Sequence, residues 1–126
     1  MTKFGIAVLS IAAVILATLL FQSVEDRHAT ARVAERVATF AAFDSGDYAS
    51  ALPRLRQLAD EGYAVAQHRL SLILENGLGT DADPAAAARM YAAAAEQGVT
   101  DAAFRFALML DEGRGVEPDP SRAGGY

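Results

Sequence analysis

The sequence predicts an all-α protein, with an N-terminal transmembrane helix followed by a short α-solenoid of two complete helix-turn-helix repeats. Two observations carry that prediction. The first is a pattern written twice at a spacing of 36 residues. Asp60-Glu61-Gly62 returns as Glu96-Gln97-Gly98, Glu75-Asn76-Gly77-Leu78-Gly79 as Asp111-Glu112-Gly113-Arg114-Gly115, and Asp83-Pro84 as Asp119-Pro120. A fixed period of roughly 20–50 residues marks a stacked-repeat architecture. The second is an uncharged run from Phe4 to Phe21. As a helix rising about 1.5 Å per residue it reaches ~27 Å, close to the ~30 Å of a bilayer's hydrocarbon core.

Composition narrows the classes of function. The chain has 126 residues, room for one small domain and an appendage. Its net charge is −5 and Lys3 is its sole lysine, which argues against nucleic acid as a partner, since phosphates call for a basic stripe. Cysteine is absent, so there is no disulfide framework, thiolate metal site or thiol nucleophile.

Residues 1–23 read as a transmembrane anchor or signal segment, contacting the lipid bilayer through residues 4–21. Cleavage requires small residues soon after the apolar run. Here Gln22-Ser23-Val24-Glu25-Asp26-Arg27 follows, and Ala29-Thr30-Ala31 lies farther on, beyond charges. A retained anchor is the favoured reading, and release by signal cleavage is the alternative. Lys3 and the amino terminus favour an inside N-terminus, although Arg27, Arg32 and Arg36 stand on the other flank. The expected location is a bacterial inner membrane, single-pass, with the repeats in the periplasm. Ala7, Ser10, Ala13 and Ala17 line one side of this helix, where small residues let another membrane helix approach.

Residues 24–45 read as a juxtamembrane helix. Val33, Val37, Phe40 and Ala41 give it an apolar stripe, and Ser45-Gly46 stops it. The repeat domain then occupies 46–126, with repeats at 47–82 and 83–118 and a partial third at 119–126. Asp47 is a natural N-cap for a helix over Tyr48–Glu61. Pro53 sits beyond that helix's first turn, so the helix either bends there or starts later. Ala51, Leu55, Leu58 and Ala59 are assigned inward. Tyr63–Asn76 follows, with Ala66, Leu70, Ile73 and Leu74 inward. In the second repeat Asp83 caps and Pro84 takes the first helical position, where its missing N–H costs nothing. The next helix is alanine-rich and thin, with Tyr91 as its large anchor. Thr100 is placed as the cap of Asp101–Glu112. Phe104, Phe106, Leu108, Met109 and Leu110 leave that last helix almost no polar face, so it needs cover on all sides. A polar terminal cap is what an array of this kind requires, and none is evident. The cover comes from a second copy, from another subunit, or from Ser121–Tyr126 folding back.

Ala59-Asp60-Glu61-Gly62-Tyr63-Ala64-Val65-Ala66-Gln67, Leu72-Ile73-Leu74-Glu75-Asn76-Gly77-Leu78-Gly79 and Asp83-Pro84, with their second copies, resemble the Sel-one-like repeat family, a relative of the tetratricopeptide repeat. The resemblance runs from about Gly46 to Pro120 and does not touch Met1–Asp44. It implies an α-solenoid of antiparallel helix pairs, a non-enzymatic adaptor and, as in many bacterial members, export. This chain departs from the family in having two complete copies. The aromatic pair usual late in the first helix is also reduced, to Arg54-Leu55 in one copy and Met90-Tyr91 in the other.

Candidate chemistry is sparse. His68 aligns with Phe104 36 residues later, which marks a packing position, and no partner constellation surrounds it. Asp60-Glu61 and Asp111-Glu112 are adjacent on a helix and point apart. Asp81 and Asp83 lack the glycine and terminal glutamate of a calcium loop. Gly77 and Gly79 follow a helix and recur, so they form a repeat turn and not a phosphate loop. No catalytic residue, cofactor site or metal site is assigned. The expected function is a membrane-tethered protein–protein interaction module, an accessory or assembly subunit of a larger membrane complex. The alternative is an exported soluble periplasmic adaptor. The partners are other protein subunits, membrane proteins first, with a homo-oligomer through the uncapped C-terminal end as a further arrangement. The binding surface is placed on the first helix of each pair, at Arg54, Gln57, Arg89 and Tyr91, and at the apolar end around Phe104, Phe106 and Met109.

Overall fold

A computed structural model describes residues 3–116. Five helices make up the described chain: α1 (Lys3–Asp44), α2 (Tyr48–Asp60), α3 (Ala64–Asn76), α4 (Pro84–Glu96) and α5 (Thr100–Glu112). The described residues hold no strand. The chain divides into two compact units, Met1–Ala38 and Thr39–Tyr126.

The first unit is helical. Its large apolar side chains from Val8 to Phe21 are exposed, and none of its most apolar stretch is buried. By length and composition this is the one helix among the described residues that could cross a membrane. Two of its threonine hydroxyls bond back into the helix, Thr18 Oγ1 to the Val14 carbonyl and Thr30 Oγ1 to the Asp26 carbonyl, both at 2.8 Å. Each such bond satisfies a hydroxyl donor within its own helix. The anchor and the juxtamembrane helix expected on either side of residue 23 belong to one element, α1. The compact boundary falls at Thr39, not at Gly46.

The second unit is two helical hairpins and the end of α1. α2 packs on α3, α3 on α4, and α4 on α5. Every residue assigned inward in the first repeat is buried: Ala51, Leu55, Leu58 and Ala59 on α2, and Ala66, Leu70, Ile73 and Leu74 on α3. The second repeat contributes Ala87, Ala88, Tyr91 and Ala94 from α4, and Ala102, Phe106, Met109 and Leu110 from α5. α4 is thin because its core face is alanine, and Tyr91 fills the space with a fully buried ring.

Both first helices start on an aspartate. Asp47 accepts from the Ser50 N–H at 3.3 Å and Asp83 from the Ala86 N–H at 3.1 Å. Each bond satisfies one of the free donors of a helix's first turn. α2 starts at Tyr48 despite Pro53, so a later start is ruled out; the proline removes the donor that the Ala49 carbonyl would otherwise meet. Three boundaries differ from expectation. α2 ends at Asp60, and Glu61 is its C-cap. Tyr63 precedes α3 as its N-cap instead of joining it. Thr100 is the first residue of α5, and Val99 holds the cap position without a side-chain bond.

Two glycines fix how each turn meets the helix before it. Gly79 (φ +69°) and Gly115 (φ +70°) follow α3 and α5. A Cβ on Gly79 would lie 3.0 Å from the Ala49 nitrogen, and one on Gly115 would lie 2.4 Å from the Pro84 carbonyl carbon. The turn after each second helix therefore rests on the first turn of its own repeat's first helix. Positive φ and close backbone approach both select glycine.

The last turns of α1 close the other end. Phe40, Ala42 and Phe43 pack against the core. Arg69 Nη1 donates to the Phe40 carbonyl at 3.0 Å and to Asp44 Oδ1 at 2.8 Å. Its guanidinium lies 4.7 Å from the Phe40 ring centre and 5.1 Å from that of Phe43. Arg105, 36 residues after Arg69, makes the corresponding reach to Glu75 of α3 at 3.7 Å. The end of α1 is thus tied to α3 through Arg69.

Candidate functional site

Two surfaces of the repeat unit are open to a partner. The first is a groove of about 160 Å³ between α2, α3 and α4. Its walls include Arg56, Asp60, Leu70, Leu74, Arg89 and Met90. The apolar residues form the floor, with Leu70 and Leu74 buried and Met90 half-buried. Arg56, Asp60 and Arg89 are exposed at the rim. Among the described residues, Arg69, Arg105, Arg114 and His68 form ion pairs in the repeat unit, whereas the guanidiniums of Arg56 and Arg89 form none.

The second surface is the outer face of α5. Phe104 is 62% exposed and Leu108 38%. The same positions one repeat earlier are His68 and Leu72, both half-buried. His68 reaches the next hairpin: its Nε2 lies 2.6 Å from Asp101 Oδ2 and its ring is 6.2 Å from that of Tyr91. Ala103 and Ala107 correspond to Gln67 and Ser71, which are buried under α4, yet both alanines are half-exposed. This face of α5 is therefore the one that, on α3, receives the following helix.

Of the residues expected to grip a partner, the structure leaves some outside and takes others in. Arg89 and Gln57 are exposed and Arg54 is half-buried. Gln57 Nε2 donates to Glu61 Oε1 at 3.2 Å. Phe104 is on the open α5 face. Tyr91, Phe106 and Met109 are corrected: all three are core residues, and no partner can touch them without unfolding α4 or α5. α5 is accordingly not apolar and bare all round, because Ala102, Phe106, Met109 and Leu110 already face α4. Ser10, Ala13 and Ala17 are exposed on α1, and Ala7 lies in the same helix.

The polar groups that join the hairpins escaped sequence reasoning. Tyr91 Oη donates to Glu75 Oε2 at 2.6 Å, and Arg114 Nη1 donates to Glu75 Oε1 at 3.0 Å. The Glu75 side chain is only 9% exposed. Burial, and then the adjacent Glu75 carboxylate, push the Tyr91 hydroxyl well above its ordinary value, so it remains a donor. Asp101 is held below its ordinary value: burial acts upward, but hydrogen bonds from His68 and Arg105 outweigh it. At the opposite ends of the helices, Gln97 Nε2 donates to the Gly62 carbonyl at 3.0 Å and to Gln67 Oε1 at 2.9 Å, and Gln67 Nε2 donates to the Ala59 carbonyl at 3.3 Å. The Gln97 bonds join one hairpin to the next, and the Gln67–Ala59 bond ties α3 to α2 within the first. His68 and Arg69, adjacent on α3, go to different neighbours, so they do not converge on a single pocket with a carboxylate. Among the described residues, no group of three or more His, Asp or Glu is placed to hold a metal ion.

The Sel1 repeat model matches residues 64–99 and 100–126, half of the chain. The chain belongs to the Sel1 repeat family. The family's unit begins at α3, so it cuts the 36-residue period between the helices of the first hairpin; the spacing is unchanged. The crystal structure of a Sel1 repeat protein from Oxalobacter formigenes aligns with a TM-score of 0.63 at 24% identity, over 69% of this chain and 36% of that one. That likeness shows the α-solenoid fold, and the chain spans about a third of that protein's length. No curated protein matches. Sel1 repeats are protein–protein interaction modules.

Proposed function

We propose that this Sel1 repeat chain is a membrane-tethered interaction module, serving as an accessory or assembly subunit of a larger membrane protein complex. The observation that carries the reading is the pairing, in one chain, of Sel1 repeats with an N-terminal helix whose apolar stretch is wholly unburied. An exposed apolar helix of this length is costly in water, at roughly 25 cal/mol per Å² of apolar surface, and a bilayer removes that cost. The tether lies in a bacterial inner membrane with the repeats on the periplasmic side, as Lys3 and the amino terminus favour. The small-residue side at Ala7, Ser10, Ala13 and Ala17 meets a helix of a partner membrane protein. In the repeat unit, Phe104 and Leu108 cover a hydrophobic neighbour, either another subunit or a second copy.

Mass spectrometry of the protein extracted from membranes in mild detergent tests this. A full-length chain with stoichiometric membrane subunits is the expected result. A chain beginning beyond Val24 in the soluble fraction overturns the tether and supports the exported adaptor instead.

A further inference from the structure

We propose that the groove between α2, α3 and α4 binds an extended acidic peptide segment of a partner protein, with an apolar side chain on the floor and a carboxylate between Arg56 and Arg89. The inference rests on the interaction-module reading and specifies the ligand of one of its faces.

Size selects the class of ligand. The groove measures about 160 Å³. Small-molecule sites usually run to roughly 300–1,000 Å³. This one has room for a single side chain, which is how a docked peptide uses a pocket. Leu70, Leu74 and Met90 give that side chain an apolar seat.

Charge selects the sequence. The protein as a whole is acidic, at −5. In the repeat unit Arg69 pairs with Asp44, Arg105 with Asp101 and Glu75, and Arg114 with Glu75 and Glu112. Arg56 and Arg89 form no ion pair among the described residues, are exposed, and both stand on the same groove. They come from successive first helices, so the solenoid stack is what brings them to one site. A guanidinium presents a planar fork suited to carboxylates. Asp60, at the same rim, repels a ligand that is acidic throughout its length, so the carboxylate is confined to the arginine side. A partner with an acidic residue flanking a leucine or methionine meets every one of these features.

The test uses the full chain in uncharged detergent. Fluorescence anisotropy follows labelled ten-residue peptides in which a leucine is flanked by two aspartates, two asparagines or two lysines. The aspartate peptide binds, the lysine peptide does not, and the asparagine peptide is at least about tenfold weaker than the aspartate one. Arg56→Glu and Arg89→Glu each weaken the aspartate peptide by about tenfold, while Phe104→Ser leaves it unchanged. Far-ultraviolet circular dichroism confirms that the exposed substitutions keep the fold. Equal binding of the aspartate and asparagine peptides overturns the proposal, as does indifference to both arginine reversals. Competition by phosphatidylglycerol vesicles in preference to the peptide also overturns it, in favour of a lipid headgroup. A photoreactive residue placed at Asp60 and, separately, at Phe104 in intact membranes separates the two levels of the reading. Crosslinks from Phe104 alone refute the groove and leave the interaction module standing. Crosslinks from neither position refute both.

Discussion

Replacing Gly115 by alanine sets two costs against each other that can be measured apart. At φ +70° an alanine pays about 1–2 kcal/mol for a left-handed backbone. Its Cβ would also lie 2.4 Å from the Pro84 carbonyl carbon and oxygen and 2.7 Å from the Ala85 nitrogen. Those atoms are the first turn of α4, so no side chain can rotate away; the turn or the helix must shift. Forcing extra volume into a packed site costs about 1–3 kcal/mol more. Gly98→Ala is the control, because Gly98 has φ +95° and nothing within 4 Å of the added Cβ. It pays the backbone cost alone, and the entropy lost from the unfolded chain is the same in both variants. Gly115→Ala should therefore be less stable than Gly98→Ala by about 1–3 kcal/mol, which lowers the melting temperature by at least ~4 °C for a unit of this size. Circular dichroism melts of the full chain in detergent supply the comparison. Equal melting temperatures would refute the claim that the turn rests on the start of α4.

Three further outcomes follow from the described contacts. Glu75→Ala strands the buried Tyr91 hydroxyl and should cost about 1–3 kcal/mol, whereas adding Tyr91→Phe should recover part of it; a coupling below about 0.5 kcal/mol in urea unfolding would contradict the tie. Asp101 has a folded value held below its ordinary 3.8, so its contribution is complete above the unfolded value and is lost as pH falls through the folded one. Wild type should accordingly lose stability relative to Asp101→Asn as pH falls below the ordinary carboxylate value, and parallel acid titrations would disprove the network. Met109→Ala should cost about 2–5 kcal/mol, while Phe104→Ser should change the isolated protein's stability by less than about 0.5 kcal/mol; similar losses at the two positions would mean that the α5 face is already covered.

The period of 36 was legible because it is carried by residues with few structural alternatives. Glycines at the turns and Asp-Pro at a helix start recur in phase whatever the side chains between them do. The inner faces of α2 and α3 were legible too, because Leu55, Leu58, Leu70 and Leu74 fall on one stripe of each helix. The second repeat was harder. Its last helix carries more apolar residues than one face can use, and hydrophobicity does not say which of them point inward. The repeat itself held the answer: Tyr91 stands where Leu55 stands, Phe106 where Leu70, Met109 where Ile73 and Leu110 where Leu74. Reading α5 by that correspondence sends Phe106 and Met109 to the core and leaves Phe104 and Leu108 outside. Arg56 escaped notice for a different reason. Its importance lies in having Arg89 across a groove, and sequence spacing cannot show which arginines will be consumed by Glu75 and Asp101. The ties of Glu75 to Tyr91 and Arg114 likewise join residues 16 and 39 positions apart, and no local pattern marks them.

The matching seats of Gly79 on Ala49 and Gly115 on Pro84 make the repeat unit an interchangeable part. Residues 83–118 begin with an aspartate cap, end just after a glycine seated on their own first turn, and offer the next helix the same kind of face that they took from α3. Tandem duplication of that stretch would lengthen the scaffold by one hairpin without calling for a new type of junction. At the other side the core is already covered by Phe40, Ala42 and Phe43 of α1. The array thus has a direction, fixed at one end and extensible at the other, and its reach toward a binding partner is set in steps of one hairpin.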